Sequence, residues 1–512
     1  MNRRLFLASL LVFATTSALT GADRPPNVVL ILADDLGWSD PGCYGNRFHE
    51  TPHIDGLAAA GMRFTDYYAP SPVCSSTRAS LLVGQTPPRT GITRHIGTLE
   101  RPFERMHEPK NGWRVDHALT TYVEMLRARG YSTGHVGKWH LQVGVALQEL
   151  EVRGFPKERF SLESYPDEIR NDPGYRGRSD SHLPTGHGFD LGVTTPAGGT
   201  HFFPLRVRGY DEPLPAEGAY LADFLTDLAV RFIEEHRKGP FFLELNHLIP
   251  HWRIEAKERT IAKYRAKPKP LSGTNNPKYA AMFEHLDDSV GRVLKTIERL
   301  GLSEKTIVVF TSDNGAIYFR PNGEGADGAI TTNAPLRGEK GSLYEGGIRV
   351  PQIVRWSKVV PPGTLTRTPA IGMDLLPTFA EVSGATLPDQ SLDGVSLVPV
   401  LSGTGTLQRR DLFWHYPHYH HDEPSGAIRE GDWKLKESYV DGGFELFNLR
   451  HDLSETRNLA ARYPMRAEQL RSRLSAWRKS VGAQMPTPNP EYDPARAHEF
   501  WKAGRLMEVV RD

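Results

Sequence analysis

Residues 27–35 read Asn-Val-Val-Leu-Ile-Leu-Ala-Asp-Asp, an unbroken apolar run of strand length that ends in two acids. Such a run is typical of a strand that is covered on both faces of its sheet. The arrangement recurs at residues 306–311, which run into Ser-Asp-Asn-Gly and so place Asp313 and Asn314 after a second strand. The two runs predict two buried strands in an α/β domain.

A third apolar run, residues 240–245, is followed by His247 and His251. All three predicted strands therefore deliver polar side chains at their carboxyl ends. In open α/β sheets this edge is where ligands bind, so we expect the functional site there.

Apolar residues recur at helical spacing in four further segments: 116–129, 221–232, 279–297 and 373–382. From residue 411 onward, short aromatic runs alternate with Gly, Pro and Asp, and a helical pattern with Leu470, Leu474 and Trp477 on one face follows. The sequence thus predicts an α/β fold, with a large mixed, mostly parallel sheet flanked by helices and a smaller C-terminal antiparallel sheet plus helix. We place the boundary between the main domain, residues 23–405, and a C-terminal subdomain, residues 406–512.

The N-terminus is typical of an export signal. Arg3 and Arg4 precede an apolar run over residues 5–14, and small residues follow, so residues 1–22 are predicted to be a cleaved signal peptide. Both a general secretory signal and a twin-arginine signal fit this pattern. The apolar run is too short for a comfortable membrane span. A formal net charge of +1 without long basic runs argues against nucleic acid as a partner.

Residues 70–84 read Pro-Ser-Pro-Val-Cys-Ser-Ser-Thr-Arg-Ala-Ser-Leu-Leu-Val-Gly. The run over residues 79–83 predicts a helix that ends at Gly84, which places Cys74 near the helix N-terminus and Arg78 one turn later. Free backbone N–H groups and the positive end of the helix dipole favour an anion and a reactive side chain at such a position.

Candidate metal ligands and anion-binding residues come from separate segments. Asp34, Asp35, Asp313 and Asn314 offer hard oxygen ligands, which suit Ca²⁺ or Mg²⁺ better than zinc. Lys138 and His140 are two residues apart, so we expect them to point the same way from an extended segment. Lys340 lies in a glycine-rich stretch, residues 336–347, where the backbone can approach a ligand closely.

In this order, these motifs resemble those of the type I sulfatases of the alkaline-phosphatase-like superfamily, and the resemblance covers nearly the whole chain. It implies the alkaline-phosphatase-like fold and hydrolysis of a sulfate ester. In that family the cysteine of a Cys-x-Pro/Ala-x-Arg motif is oxidised to formylglycine by a maturing enzyme. Carried over, Cys74 is the precursor of the nucleophile and Arg78 steadies it, whereas Ser76 departs from the Pro or Ala of the motif.

The resemblance also implies how this nucleophile works. One hydroxyl of the hydrated aldehyde attacks sulfur and forms a covalent sulfoenzyme, and the second hydroxyl then expels sulfate. A formylglycine-generating maturase is therefore an expected partner.

The other candidates take their roles from the same resemblance. One Ca²⁺ ion is expected, and its implied ligands are Asp34, Asp35, the modified Cys74, Asp313 and Asn314. Lys138 and Lys340 match residues that bind the sulfate, and His140 matches one that contacts the hydrated aldehyde. His251, assisted by Lys340, is favoured as the acid for the leaving oxygen. His247 is the alternative, because the local spacing does not separate the two histidines.

The expected substrate is a sulfated carbohydrate. A phosphonate monoester or phosphodiester hydrolase of the same superfamily is the alternative reaction, and an inactive binder of sulfated glycans is the alternative class. The histidine-rich residues 415–421 could be a zinc site, but we favour a loop that leans over the pocket and presents donors and aromatic faces to a sugar. Residues 141–204 and the C-terminal loops are expected to set specificity. The sequence leaves the oligomeric state open.

Overall fold

The computed structural model describes residues 24–96, 99–142, 182–270, 275–317, 330–407, 410–497, 499–502 and 505–508. The predicted signal peptide lies outside these described residues. So do residues 143–181, which make up most of the region expected to set specificity.

The described elements alternate along the first part of the chain between strands and helices. Strands β1 to β19 are, in chain order, Asn27–Ala33, Met62–Phe64, Tyr67–Tyr68, Leu99–Glu100, Met106–His107, Ser132–Lys138, Leu191–Thr195, Phe241–Asn246, Thr306–Ser312, Gln352–Trp356, Thr364–Thr366, Ala370–Ile371, Asp411–Tyr416, Ser425–Glu430, Trp433–Ser438, Phe444–Asn448, Thr487–Pro488, Glu499–Lys502 and Arg505–Glu508. Helices α1 to α11 are Pro52–Ala59, Cys74–Val83, Pro87–Thr90, Tyr122–Ala128, Leu221–His236, Glu258–Ala266, Pro277–Arg299, Glu345–Ile348, Leu375–Ser383, Val398–Leu401 and Pro464–Ser480.

The main sheet has the spatial order β11-β2-β10-β9-β1-β8-β6-β7. Strand β1 pairs in parallel with both β8 and β9, and β6 pairs in parallel with β8 and β7. Strand β10 is antiparallel to both of its neighbours, β9 and β2. The predicted mixed, mostly parallel sheet is therefore confirmed, and the apolar run at residues 27–33 lies inside it.

Both faces of the sheet are covered, which explains why β1 has no polar face. Val29 and Ile31 pack into a core with helices α1, α5 and α7, whereas Val28 and Leu30 pack into a second core with α2, α4 and α9. Successive side chains of a strand point to opposite faces, so each face of β1 needs apolar residues of its own.

One predicted helix is shorter than expected. Helical spacing suggested a start at residue 116, but α4 begins at Tyr122. Thr121 accepts a hydrogen bond from the Glu124 backbone N–H, and the Glu124 side chain accepts one from the Thr121 N–H. This capping box fixes the helix start, because it satisfies backbone donors that have no partner within the helix.

The C-terminal prediction of an antiparallel sheet and a helix is confirmed. Strands β13 to β16 form a four-stranded antiparallel sheet, and α11 packs on one face of it through Leu470 and Leu474. The other face, with Trp414 and Tyr416, packs against Val73 and Leu343. The small sheet thus supports the two segments that lead to Cys74 and away from Lys340. Within the described ranges, no helix is long and apolar enough to cross a membrane.

Candidate active site

The carboxyl ends of parallel strands bring the predicted site residues to one edge of the main sheet. Asp34 and Asp35 follow β1, Asp313 and Asn314 follow the adjacent β9, and Lys138 is the last residue of β6. All five are buried. The backbone of Asp35 has a φ of 62°, in the left-handed region, and its N–H donates to the Asp313 carboxylate at 3.2 Å. The two strand ends are therefore hydrogen-bonded to each other.

Cys74 is the first residue of α2, as the sequence predicted, and Val73 is the extended residue before the helix. Its side chain is buried, and the Lys340 ammonium lies 3.6 Å from its sulfur. The N–H of Gly341 donates to the Pro72 carbonyl at 2.9 Å and joins the two segments. Burial raises the pKa of the Cys74 thiol, although the charges of Lys138 and Lys340 act in the opposite direction. The unmodified side chain is thus a protonated thiol.

Each of the three buried carboxylates has its own cation. Lys138 Nζ lies 2.6 Å from the Asp34 carboxylate, and Lys340 Nζ lies 2.5 Å from that of Asp35.

The third cation is the Arg78 guanidinium, which donates to one oxygen of Asp313 through two nitrogens, at 2.8 and 3.0 Å. Its remaining terminal nitrogen donates to the Lys138 carbonyl at 2.9 Å. These contacts balance the charges and fix Arg78 between Asp313 and the end of β6.

The contacts described above leave three side-chain oxygens of this cluster without a hydrogen bond. Asp34 Oδ1, Asp35 Oδ2 and Asn314 Oδ1 are buried, and none of them has a hydrogen-bond partner in the described part of the chain. Buried acceptors without donors are costly, so such oxygens call for a positive ligand.

The geometry of the cluster fits a metal ion. Ligand atoms of Asp34, Cys74 and Asp313 lie within 4.8 Å of one another, and so do those of Asp34, Asp35 and His251. Carboxylate and amide oxygens are the ligands of hard cations such as Ca²⁺. The residues present therefore fit the predicted ion.

The pKa values of Asp313, which follows β9, and Asp35, which follows β1, are shifted in opposite directions. Burial and the nearby Asp34 charge raise the pKa of Asp313 to about 6. Burial also opposes ionisation of Asp35, but the charges of Lys340, His251 and Lys138 outweigh it and lower the pKa of Asp35. As the pH falls, Asp313 is thus protonated before Asp35.

His140 does not occupy the extended segment that its spacing suggested. Strand β6 ends at Lys138, and His140 has a φ of 55°, so strand alternation does not extend to it. Its Nε2 donates to the Ile96 carbonyl at 2.9 Å, and its buried Nδ1 has no hydrogen-bond partner among the described residues. Burial, followed by the charge of Lys138, lowers the pKa of His140. A neutral ring with a free lone pair results.

The two histidines after β8 have different surroundings. His251 Nε2 lies 3.7 Å from the Asp35 carboxylate, and its Nδ1 donates to the Trp252 carbonyl at 2.7 Å. His247 is fully buried, and its Nε2 lies 2.8 Å from the Ser289 hydroxyl on α7. Burial lowers the pKa of His247 to about 3. The fold therefore brings His251 to the acidic cluster and engages His247 with a helix of the core.

The histidine-rich loop contacts the segment of Lys340. His421 Nδ1 lies 2.8 Å from the Lys340 carbonyl, and the ring of His420 contacts Gly341 closely enough that a Cβ atom there would lie 2.2 Å from it. Among the described residues, the histidines at 415–421 do not join any group of metal-ligand geometry. The contacts thus support the favoured interpretation, a loop beside the pocket, over a zinc site.

Sequence reasoning missed His95. Its ring lies 5.7 Å from that of His420, and burial together with the charge of Lys340 lowers its pKa to about 3. Close by, His418 Nε2 lies 2.7 Å from the Thr93 hydroxyl, and its Nδ1 lies 3.5 Å from Glu108. His95, Thr93 and Glu108 carry no motif in the sequence, and the fold alone joins the segment around residue 95 to the histidine-rich C-terminal loop.

Comparisons with known proteins identify the family of the chain. The sequence model of the sulfatase family, described as Sulfatase, matches residues 26–385, and the model described as N-sulphoglucosamine sulphohydrolase, C-terminal, matches residues 338–480. The chain is 37% identical to human arylsulfatase A over 432 residues, which cover 83% of this chain and 77% of that protein. It is 31% identical to a sulfatase of Formosa agariphila over 524 residues, with 91% of each chain covered.

A solved structure gives the same result for the fold. The crystal structure of Ps i-CgsB in complex with k-i-k-neocarrahexaose matches with a TM-score of 0.71 and 26% sequence identity, covering 92% of this chain and 95% of that chain. The mixed sheet is therefore the alkaline-phosphatase-like fold of the sulfatases. The chain belongs to the sulfatase family and is a sulfuric ester hydrolase.

Proposed function

We propose that the protein is an exported, Ca²⁺-dependent sulfatase that removes a sulfate ester from a carbohydrate, with a formylglycine made from Cys74. The observation that carries this proposal is the set of three buried oxygens, on Asp34, Asp35 and Asn314, that have no hydrogen-bond partner among the described residues. A Ca²⁺ ion held by these residues with Asp313 and the modified Cys74 would act as a Lewis acid toward the sulfate oxygens and the hydrated aldehyde.

The three cationic side chains of the site have two different roles in this proposal. Arg78 stays with Asp313 and holds the start of α2 in place, because it also donates to the Lys138 carbonyl. Lys138 and Lys340 face the same cluster and would bind the sulfate oxygens. Charges that are already oriented in a buried site stabilise a transition state without reorganisation, which is a large part of catalysis.

Proton transfer is assigned to the imidazoles of His251 and His140. His251 donates from Nδ1 to a backbone carbonyl, so its Nε2 is the nitrogen that would carry a proton to the leaving oxygen. His140 donates from Nε2, so its Nδ1 would accept a proton from the hydrated aldehyde. His247 is not used, because its ring bonds to Ser289 within the core.

The carbohydrate assignment rests on three observations. The related Ps i-CgsB was solved with a neocarrahexaose, and the C-terminal family model is that of a sulphoglucosamine sulphohydrolase. In addition, His420 and His421 reach the Lys340 segment and would offer donors to sugar hydroxyls. The export signal over residues 1–22, the domain boundary near residue 405 and the maturase as a partner complete the proposal.

The reaction class is tested by a comparison of substrates. A sulfatase site should hydrolyse an aryl sulfate faster than an aryl phosphodiester with the same leaving group, and it should release sulfate from some members of a panel of sulfated oligosaccharides. Sulfate release is measured by ion chromatography. Faster phosphodiester cleavage would establish the alternative hydrolase, and binding of sulfated glycans without any turnover would establish the inactive binder.

Calcium binding should weaken at acidic pH. Because the pKa of Asp313 is about 6, this carboxyl is protonated below that value and must lose its proton to bind the ion. The association constant for Ca²⁺ should therefore be nearly constant above about pH 7 and fall by about tenfold per pH unit well below pH 6. Titration calorimetry on the unmodified protein measures this dependence.

A matched control for this titration is Asp287→Asn. Burial raises the pKa of Asp287 to about 7, but its carboxylate accepts the N–H groups of His53 and Ile54, outside the site. This variant should keep the pH dependence of Ca²⁺ binding, whereas Asp313→Asn should bind Ca²⁺ weakly at every pH. Unchanged Ca²⁺ binding in Asp313→Asn would rule out the assigned ligands.

His251→Ala should lower kcat by about 10²–10⁴ for a sulfate ester with a poor leaving group, because the leaving oxygen then departs without a proton. Esters of acidic phenols need no such proton and should be affected much less. The control His247→Asn keeps a hydrogen-bonding group for Ser289 and should leave the dependence on the leaving group unchanged. The assignment fails if His247→Asn, and not His251→Ala, changes that dependence.

A further inference from the structure

Three histidines outside the candidate active site lie together beside the start of α4. His117 precedes the helix, and His182 and His187 belong to the segment that leads into β7. One ring nitrogen from each histidine lies within 4.8 Å of the other two. The ring of His117 stacks on both partners, with centroid distances of 4.6 Å to each.

His187 provides an independent sign of a missing ligand. Its side chain is 1% exposed, and its Nε2 is buried without a hydrogen-bond partner in the described residues. Burial, with the nearby His117 and His182, lowers the pKa of His187 to about 3, so the ring is neutral at any working pH. A buried imidazole nitrogen without a partner is costly for the fold, and a neutral imidazole is the form that binds metal ions.

We propose that His117, His182 and His187 form a second metal site, which binds one divalent transition metal ion, Zn²⁺ in the first place, with water as the fourth ligand. Three imidazoles and an open position are a common zinc ligand set. Imidazole also selects such an ion over Ca²⁺, which prefers oxygen.

Ligation requires a small local change. Zinc–nitrogen distances are about 2.0–2.1 Å, so the three nitrogens must come closer together than they are in the stacked arrangement. His117 is exposed and can rotate without disturbing the core, whereas the buried His182 and His187 provide fixed ligands. Metal binding would therefore break the stacking of the histidine rings and replace it with metal–nitrogen bonds.

Arg114 competes with the metal. One of its terminal nitrogens lies 2.7 Å from His182 Nε2, and its guanidinium lies 4.6 Å from the centre of the Trp113 ring. A guanidinium both occupies that nitrogen and repels a second cation. Arg114 is half-buried, so it can move away when the ion binds.

The site would act on the active site through Trp139. The Trp139 indole N–H donates to the His182 carbonyl at 2.8 Å, and its ring lies 5.8 Å from that of His187. Trp139 is the residue between Lys138 and His140. A bound ion would thus hold the turn over residues 184–187 against the segment that carries two of the active-site residues.

The test is a Co²⁺ titration of the untagged full-length protein, with Ca²⁺ in excess to fill the oxygen site. Tetrahedral Co²⁺ with nitrogen ligands absorbs visible light strongly, whereas six-coordinate Co²⁺ with oxygen ligands absorbs weakly. We expect one equivalent of the strongly absorbing species, which one equivalent of Zn²⁺ displaces. Zn²⁺ should also raise the melting temperature, because it binds only the folded chain.

His117→Ala should weaken binding by at least about a hundredfold without unfolding the protein, because the side chain is exposed. His451→Ala removes an exposed histidine of the C-terminal subdomain and should leave binding unchanged. Arg114→Met should bind Co²⁺ more tightly, because the competing cation is gone. The proposal is overturned if the wild type gives no strong absorption, if His117→Ala binds as tightly as the wild type, or if Arg114→Met binds more weakly.

Discussion

Three carboxylates are buried at one edge of the central sheet, and each is paired with a cation from a different part of the chain. Asp34 pairs with Lys138, Asp35 with Lys340 and Asp313 with Arg78. Loss of one partner would leave an uncompensated buried charge, which typically costs about 3–5 kcal/mol. The fold must therefore bring strands β1, β6 and β9, helix α2 and the Lys340 segment together in register. This requirement links the stability of the molecule to the geometry of its active site.

The C-terminal sheet contributes to the same geometry from outside. Lys434 on β15 lies between Glu345 and Glu455, at 2.8 and 2.9 Å, and all three side chains are buried. Glu345 is the first residue of α8, which begins shortly after Lys340. On the same side, Asp66 is bound by both Arg349 and Arg429. The small sheet thus anchors the chain that follows Lys340, which gives it a structural reason to accompany the main domain.

Local patterns were sufficient to predict the strands and the sheet edge at which the candidate site residues meet. Apolar runs such as residues 27–33 identify buried strands because both faces of the sheet are covered, and parallel pairing then gathers their carboxyl ends. Gly84 identified the end of α2 and hence the position of Cys74. The start predicted for α4 was too early. The sequence could have shown the correct start, because Thr121 and Glu124 have the spacing of a capping box.

The positions of other site residues depend on tertiary contacts, which the spacing of residues in the sequence does not predict. His247 and His251 follow the same strand, but the turn after β8 directs one to Ser289 and the other toward Asp35. The left-handed backbone of His140 likewise depends on tertiary structure. The three-histidine cluster joins residues separated by a long stretch of chain, and nothing in the sequence near His117 indicates its partners.

The central claim is that Cys74 is a precursor whose thiol must be converted before the site can act. The burial that raises its pKa makes the unmodified thiol a poor nucleophile. Mass spectrometry of the peptide containing Cys74, on preparations expressed with and without a formylglycine-generating enzyme, measures the converted fraction directly. The account predicts an aldehyde at Cys74 and a sulfatase rate proportional to the fraction converted. Full activity in protein whose Cys74 is entirely an unmodified thiol would contradict it.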